Sequence, residues 1–467
     1  MHRSSIKVAI ALVFVAGCSG AADERAEGEE AERSAAEGVS GIATSSLVPA
    51  RNRAGIAESV HTSGTIDRTN PFFLSLGING RSCGTCHDSR AGWTMTSALA
   101  RDLFEETNGL DPLFRPHDGA NRPDADVSTV TARRAAYSMA ISRAVTRFTR
   151  TVPATAEFTV DAVDDPYGWS TPAAFSSFRR PGSIANTAKQ VAITWTGAPG
   201  DMMVRLQSIM NGATKSHAQR PDDVPADQQL AGAQFMFGLS FAQIVDKDAG
   251  RLDTNGALGG PSTIASAPFY IGINALGGDT VSGAPFDRRA SRLFAEWLDL
   301  GRCRGGSRTN RAREQIAHGE QMFNTLEFDI RGVAGLNDAL GQPVVRGTCS
   351  TCHNSPTVLG HSEFRLMDTG VADANRRTGD MPLVTVRNKT TGETRQSMDL
   401  GRATATGLWT DIGKFKAPML RGVGSRAPHF HDGSARNLRD VLEFYKQRFG
   451  VRFRGDEDDL VAFLEAL

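Results

Sequence analysis

Two short segments of the chain carry the same chemistry: Cys83-Gly84-Thr85-Cys86-His87 and Cys349-Ser350-Thr351-Cys352-His353. Cys-x-x-Cys-His is the attachment site of c-type haem. Two thiols three residues apart reach the two vinyl groups on one edge of a porphyrin. The adjacent His is then placed under the iron as its proximal ligand. A zinc site would pair Cys-x-x-Cys motifs without needing both immediate His residues. An exported dithiol tends to oxidise unless it is occupied. The segments are therefore read as sites for two covalently bound haem c groups, held by Cys83, Cys86, Cys349 and Cys352 with His87 and His353 on the irons. Cys303 is left without a partner and reads as an unpaired thiol.

The elements that must hold these loops can be traced around them. The loops lie 266 residues apart, and each is followed by a similar segment. One runs from Phe415-Lys416-Ala417-Pro418 to His429-Phe430-His431-Asp432-Gly433, the other from Phe178-Arg179-Arg180-Pro181 to Trp195-Thr196-Gly197. Pro418 to His431 is 13 residues and Pro181 to Trp195 is 14, which reads as an internal duplication. Leu438, Val441, Leu442 and Tyr445 recur at i, i+3, i+4, i+7 and predict an amphipathic helix. Leu460, Phe463, Leu464 and Leu467 repeat the pattern. Ile316 and Phe323 predict a helix ahead of the second loop, and Phe294 and Leu298 another within residues 288–298. Residues 111–180 read as partly extended, and residues 245–285 as a long Gly-rich loop.

The chain has 467 residues, enough for two or three domains of roughly 100–200 residues each. Hydrophobic residues make up 40% and charged residues 22%, a globular composition. Lys+Arg and Asp+Glu are both 52, so a chain without net charge has no electrostatic reason to bind nucleic acid or acidic membranes. Residues 1–17 read as a signal peptide: Arg3 and Lys7 precede an apolar run, Val8 to Ala16, too short to span a bilayer. Val15-Ala16-Gly17-Cys18 resembles the bacterial lipobox, with Ser19 rather than a retaining Asp after the Cys. Residues 18–46 then form a lipid anchor and a disordered linker, with seven acidic residues and no large apolar side chain in residues 21–38. Two haem domains follow, residues 47–305 and 306–467, divided at Gly305-Gly306-Ser307.

The sequence resembles the bacterial di-haem cytochrome c peroxidase and MauG superfamily. Lys416-Ala417-Pro418-Met419-Leu420-Arg421, followed by Ala427-Pro428-His429-Phe430-His431-Asp432-Gly433, carries the resemblance together with the two haem motifs. The resemblance covers roughly residues 70–467 and implies a mainly α fold: two cytochrome c-like domains, one haem each, with loop-rich insertions in the first. It also implies functional positions. The family's axial ligand to the second haem lies fourteen residues beyond the His of His-Asp-Gly, which is Tyr445 here. The alternative for Tyr445 is a core tyrosine, and Met419 and Met398 are other candidate ligands. The family's reactive pocket places a Gln and an acid ten positions apart, which here are Gln207 and His217. His217 could move a peroxide proton, bind the iron, or be structural. No His follows His87 closely as a closing ligand; His117 is the nearest. Trp195 falls where the family has a Trp between the haems, and Trp93 reads as haem packing. The family's calcium positions correspond to Arg179 and Arg426, two cations, so calcium is not expected.

The resulting expectation is a periplasmic lipoprotein, anchored to the outer membrane, that acts as a di-haem peroxidase. Peroxide or oxygen would react at the first haem, with electrons from a small cytochrome or cupredoxin passing through the second haem and Trp195. The alternatives are oxidation of an organic or protein substrate, as in MauG-type and rubber-oxygenase-type relatives, and a pure electron carrier.

Overall fold

The computed structural model describes residues 47–197, 199–300 and 307–467. The export signal, Cys18, Cys303 and the expected boundary at 305/306 lie outside the described residues. Among those described, no helix is long and apolar enough to cross a membrane.

The expectation of a mainly α fold is corrected by the structure, which is 32% helix and 16% strand. The described strands form five sheets. The chain opens with an antiparallel hairpin, β1 (Leu47–Asn52) and β2 (Gly55–His61). The first half also holds β3 (Phe158–Asp164) and β4 (Phe175–Arg179). β5 (Leu239–Asp246) pairs antiparallel with β2, and all eight of its residues are buried. In the second half, β6 (Leu383–Asn388) pairs with β7 (Thr394–Ser397) on one side and with β3 on the other. That sheet takes one strand from before residue 305 and two from after it. Its inward side chains, Phe158, Val384 and Val386, pack with Phe175, Leu400 and Ile412. Side chains of this type fit a pleated, half-buried surface, which is why these insertions fold as sheets rather than loops.

Of the four helices that periodicity predicts three are present, and others form where no pattern announced them. Among the latter, α1 (Met202–His217) begins at Asp201, whose carboxylate accepts a hydrogen bond from the Val204 amide, and α2 (Ala226–Gly238) packs beside it. α3 (Arg308–Thr325) is capped by Ser307. α4 (Leu438–Phe449) is capped by Asn437 and ends at Gly450, whose φ of 66° is the left-handed conformation a helix C-terminus favours. α5 (Glu457–Glu465) packs on α3, with the Phe323 and Phe463 rings 5.5 Å apart. The exception is residues 288–298, where only Ala295–Trp297 makes a single 3-10 turn. Phe294 and Trp297 are fully buried there, but around that turn rather than along a helix face. The largest buried cluster joins Phe294, Trp297, Ile316, Phe323, Phe463 and Leu464 and packs against Cys349, Cys352 and Tyr445.

Candidate functional site

Both Cys-x-x-Cys-His loops are wound the same way. Cys83–Thr85 forms one turn closed by a capping box, in which the Ser82 amide donates to Thr85 Oγ1 at 3.0 Å. Cys349–Cys352 forms one turn closed by the same device, the Thr348 amide donating to Thr351 Oγ1 at 2.9 Å. In each loop the histidine Nδ1 donates to a carbonyl six residues on. His87 bonds to Trp93 O at 3.1 Å and His353 to Leu359 O at 2.7 Å. Trp93 and Leu359 both have positive φ, 60° and 51°. With Nδ1 committed to donation, Nε2 keeps its lone pair for a metal. Burial pushes the His87 imidazole down to about 4, against the opposing pull of its bond to Trp93 O, and lowers His353 as well. Both rings are therefore neutral, as ligation requires. Burial also pushes the Cys83, Cys349 and Cys352 thiols up to about 12 and Cys86 to about 11.

The two loops open on one continuous cavity of about 670 Å³. That lies within the range of about 300–1,000 Å³ usual for ligand sites. Cys83, Cys86 and His87 line one part and Cys349, Cys352 and His353 another, with a largely apolar wall. Four thiols, two oriented imidazoles and an apolar chamber fit covalently held haem.

α1 brings His217 to this cavity with Leu206, Ile209, Met210 and Thr214. Its Nδ1 lies 2.5 Å from Asp118 Oδ2, and the Phe148 ring stands edge-on at 5.4 Å. The other Asp118 oxygen receives Arg81, two residues before Cys83. Burial alone would raise the Asp118 carboxyl, but the His217 hydrogen bond and the Arg81 charge outweigh it and hold it below its ordinary value. Gln207, half-buried on the same helix, does not line the cavity, so the structure separates it from His217. His117 is also off the cavity, its Nε2 bonded to Ser216 O at 2.8 Å.

α4 carries Tyr445 to the second part of the cavity. Its ring stacks on Phe449 with centroids 6.0 Å apart, and its hydroxyl has no hydrogen-bond partner among the described residues. Burial raises its pKa, and the nearby Cys352 and Cys349 thiols add to the rise. Met419 lines the cavity as well, whereas Met398 packs elsewhere with Met139 and Phe178. Trp195 lines the cavity where the two halves of the chain meet: the Lys416 amide donates to its carbonyl at 2.8 Å. Its indole N–H donates to Arg180 O at 2.8 Å, and its ring stands edge-on to His431 at 6.2 Å. Trp93 is fully buried behind the first loop among Phe72, Phe73 and Phe235. Arg179 forms an ion pair with Asp399, and Arg426 donates to the Gly422, Met419 and Arg421 carbonyls.

Comparison with known proteins agrees with this geometry. No family model matches the chain. A cytochrome-c peroxidase of Pseudomonas sp. (strain SCT) is 31% identical over 158 residues, 29% of this chain and 39% of that protein. Over part of its length the chain is similar to cytochrome c peroxidases and to MauG. The methylamine utilization protein MauG of Methylophilus methylotrophus is 28% identical over 161 residues, 31% of this chain and 42% of MauG. The cytochrome c551 peroxidase of Nitrosomonas europaea is 27% identical over 155 residues, 32% of this chain and 40% of the relative. The chain thus spans about two fifths of the length of these curated relatives. Asp118 escaped the sequence reading because it lies 99 residues from His217, with no local pattern joining them.

Proposed function

We propose that the chain is an exported c-type oxidoreductase with two covalent haems, which reduces hydrogen peroxide at the first site with electrons entering through the second. The observation that carries this reading is the cavity shared by two Cys-x-x-Cys-His loops that are closed by the same capping box and the same His Nδ1 bond. Haem, when bound, would supply redox-active iron able to react with peroxide. The chain's own residues do the rest. His87 and His353, whose Nδ1 atoms bond backbone carbonyls, would hold the irons through Nε2. The Asp118 carboxylate accepts from His217 Nδ1, which leaves Nε2 as the atom that takes and returns a proton. Two protons and two electrons convert one peroxide to two waters. Trp195, hydrogen-bonded between segments of both halves, is the proposed path for the electrons. A small cytochrome or cupredoxin is the proposed donor, and the compartment is the periplasm, with the chain anchored through Cys18.

A second reading, oxidation of an organic or protein substrate, is favoured by Tyr445, whose unpartnered hydroxyl faces the second part of the cavity. Acid–acetone extraction followed by an electronic spectrum tests the proposal. Two haems per chain should survive extraction, and the native ferric protein should show one high-spin haem that reacts with peroxide. Recovery of one haem or none overturns the di-haem reading. Two low-spin haems that ignore peroxide would assign the chain to electron transfer alone.

A further inference from the structure

The cavity wall carries an excess of positive charge that the protein does not balance. Among the described residues that line it there is no Asp or Glu, yet six are Arg or Lys. Two of these are neutralised from behind the wall, Arg81 by Asp118 and Arg179 by Asp399. The other four form no ion pair. Arg180 is 6% exposed; it donates from Nη2 to Met95 O at 2.7 Å, and its Nε has no partner. Arg426 is 8% exposed and donates only to backbone carbonyls. Lys416 donates to Gln190 Oε1 and Ala192 O. Arg150 lies over the Phe148 ring at 4.7 Å, with its Nε buried and unpartnered.

These cations also oppose one another. Burial and then Arg426 push Arg180 down to about 9 and Lys416 down to about 8. Asp432 is an opposite charge that acts on Arg180, but it makes no ion pair with it and leaves its own Oδ2 unpartnered. A buried charge persists only where something of opposite sign meets it. Here that partner must come from the occupant of the cavity. Each haem c carries two propionates on the edge away from its thioether bonds, so two haems bring four carboxylates into a chamber with four unpaired cations.

We infer that Arg150, Arg180, Lys416 and Arg426 form the receptor for the carboxylates of the bound haems. This rests on the haem reading above. The same cations could instead take a free anion such as phosphate, and the test separates the two. Cations beside a haem carboxylate stabilise the reduced iron, which has one positive charge fewer, so removing one lowers the potential.

Haem-loaded wild type, Arg180→Gln and Arg180→Lys are compared by pyridine haemochrome assay, resonance Raman spectroscopy and spectroelectrochemical titration, with and without added phosphate. Arg150→Gln, which removes no protein hydrogen bond, keeps the test available if Arg180→Gln does not fold. The expected result is a shift of the propionate modes and one haem potential lower by about 59 mV, a tenfold change in a one-electron equilibrium. Arg180→Lys should restore most of it, and phosphate should have no effect. A haem-loaded protein whose potentials and modes move in neither Gln variant overturns the inference alone. So does a wild-type potential that follows phosphate concentration and ceases to do so in the variants. A chain without haem overturns the function proposed above.

Discussion

His217 reaches the cavity with one nitrogen already committed to a carboxylate, the arrangement that the proposed proton transfer would use. Nδ1 is bonded to Asp118, and Asp118 is bonded in turn to Arg81, which donates from Nε to Pro112 O at 2.8 Å. The ring is thus fixed from behind, with Nε2 free to act. Loss of a general acid–base group typically costs about 100- to 10,000-fold in rate. His217→Ala should slow the Soret change on mixing with peroxide by at least about 100-fold. A faster change would assign His217 as an iron ligand, and no change would make it structural. Asp118→Asn keeps an acceptor for Nδ1 but removes the charge, so the slowing should be smaller. At the second site, Tyr445→Phe removes a hydroxyl with no protein partner. One haem spectrum should shift and its potential should rise; unchanged spectra would place Tyr445 in the core. The two Cys-x-x-Cys-His loops were legible because the motif is five contiguous residues. The support of His217 was not, because Asp118 meets it only through the fold.

At the scale of elements, the second Cys-x-x-Cys-His loop packs against the cluster that α3 and α5 form by approaching closely. Gly319 makes that approach possible: a Cβ there would lie 1.9 Å from the Asp459 carbonyl oxygen and 2.7 Å from Phe463 Cβ. Neither atom can move without parting the helices. Gly319→Ala should therefore destabilise the protein by about 1–3 kcal/mol, the usual cost of overpacking. Calorimetry should show a lowered Tm, while Gly379→Ala, which adds a methyl in open space, should leave it unchanged. An equal Tm in both variants would remove Gly319 from the packing argument. α3, α4 and α5 were legible because each buries one face, which writes a helical period into the sequence. The sheets were not, for two reasons. β5 is buried at every position and so has no alternation to read. β3 and β6 are more than 200 residues apart, and β3 has no strand partner until β6 is in place.

Across the whole molecule, the two halves are held together by buried charge as well as by that shared sheet. Asp399 follows β7 and is 2% exposed. Its carboxylate accepts from Arg179 at 2.7 Å through both Nε and Nη2, from Ser177 Oγ at 2.7 Å and from the Gly401 amide at 2.8 Å. Ser177 and Arg179 belong to β4, in the other half of the sequence. Burial by itself would raise this carboxyl, but Arg179 dominates and holds it well below the carboxylate range. The sign of the pH dependence follows. A carboxyl depressed in the folded state contributes stability that is present above its unfolded value, about 3.9, and is lost as pH falls through the folded one. Acid should therefore loosen the contact between halves from about pH 4 downward. Asp399→Asn removes the charge at every pH and leaves Arg179 buried without a counter-ion, which typically costs about 3–5 kcal/mol. Denaturation followed between pH 3 and pH 8 should show a lower midpoint for Asp399→Asn near neutrality and a weaker dependence on acid than wild type. Asp124→Asn, which loses only an exposed pairing with Arg122, should follow the wild-type curve. If Asp399→Asn followed it too, the pair would not be what couples the halves, and the sheet formed by β3, β6 and β7 would hold them without it.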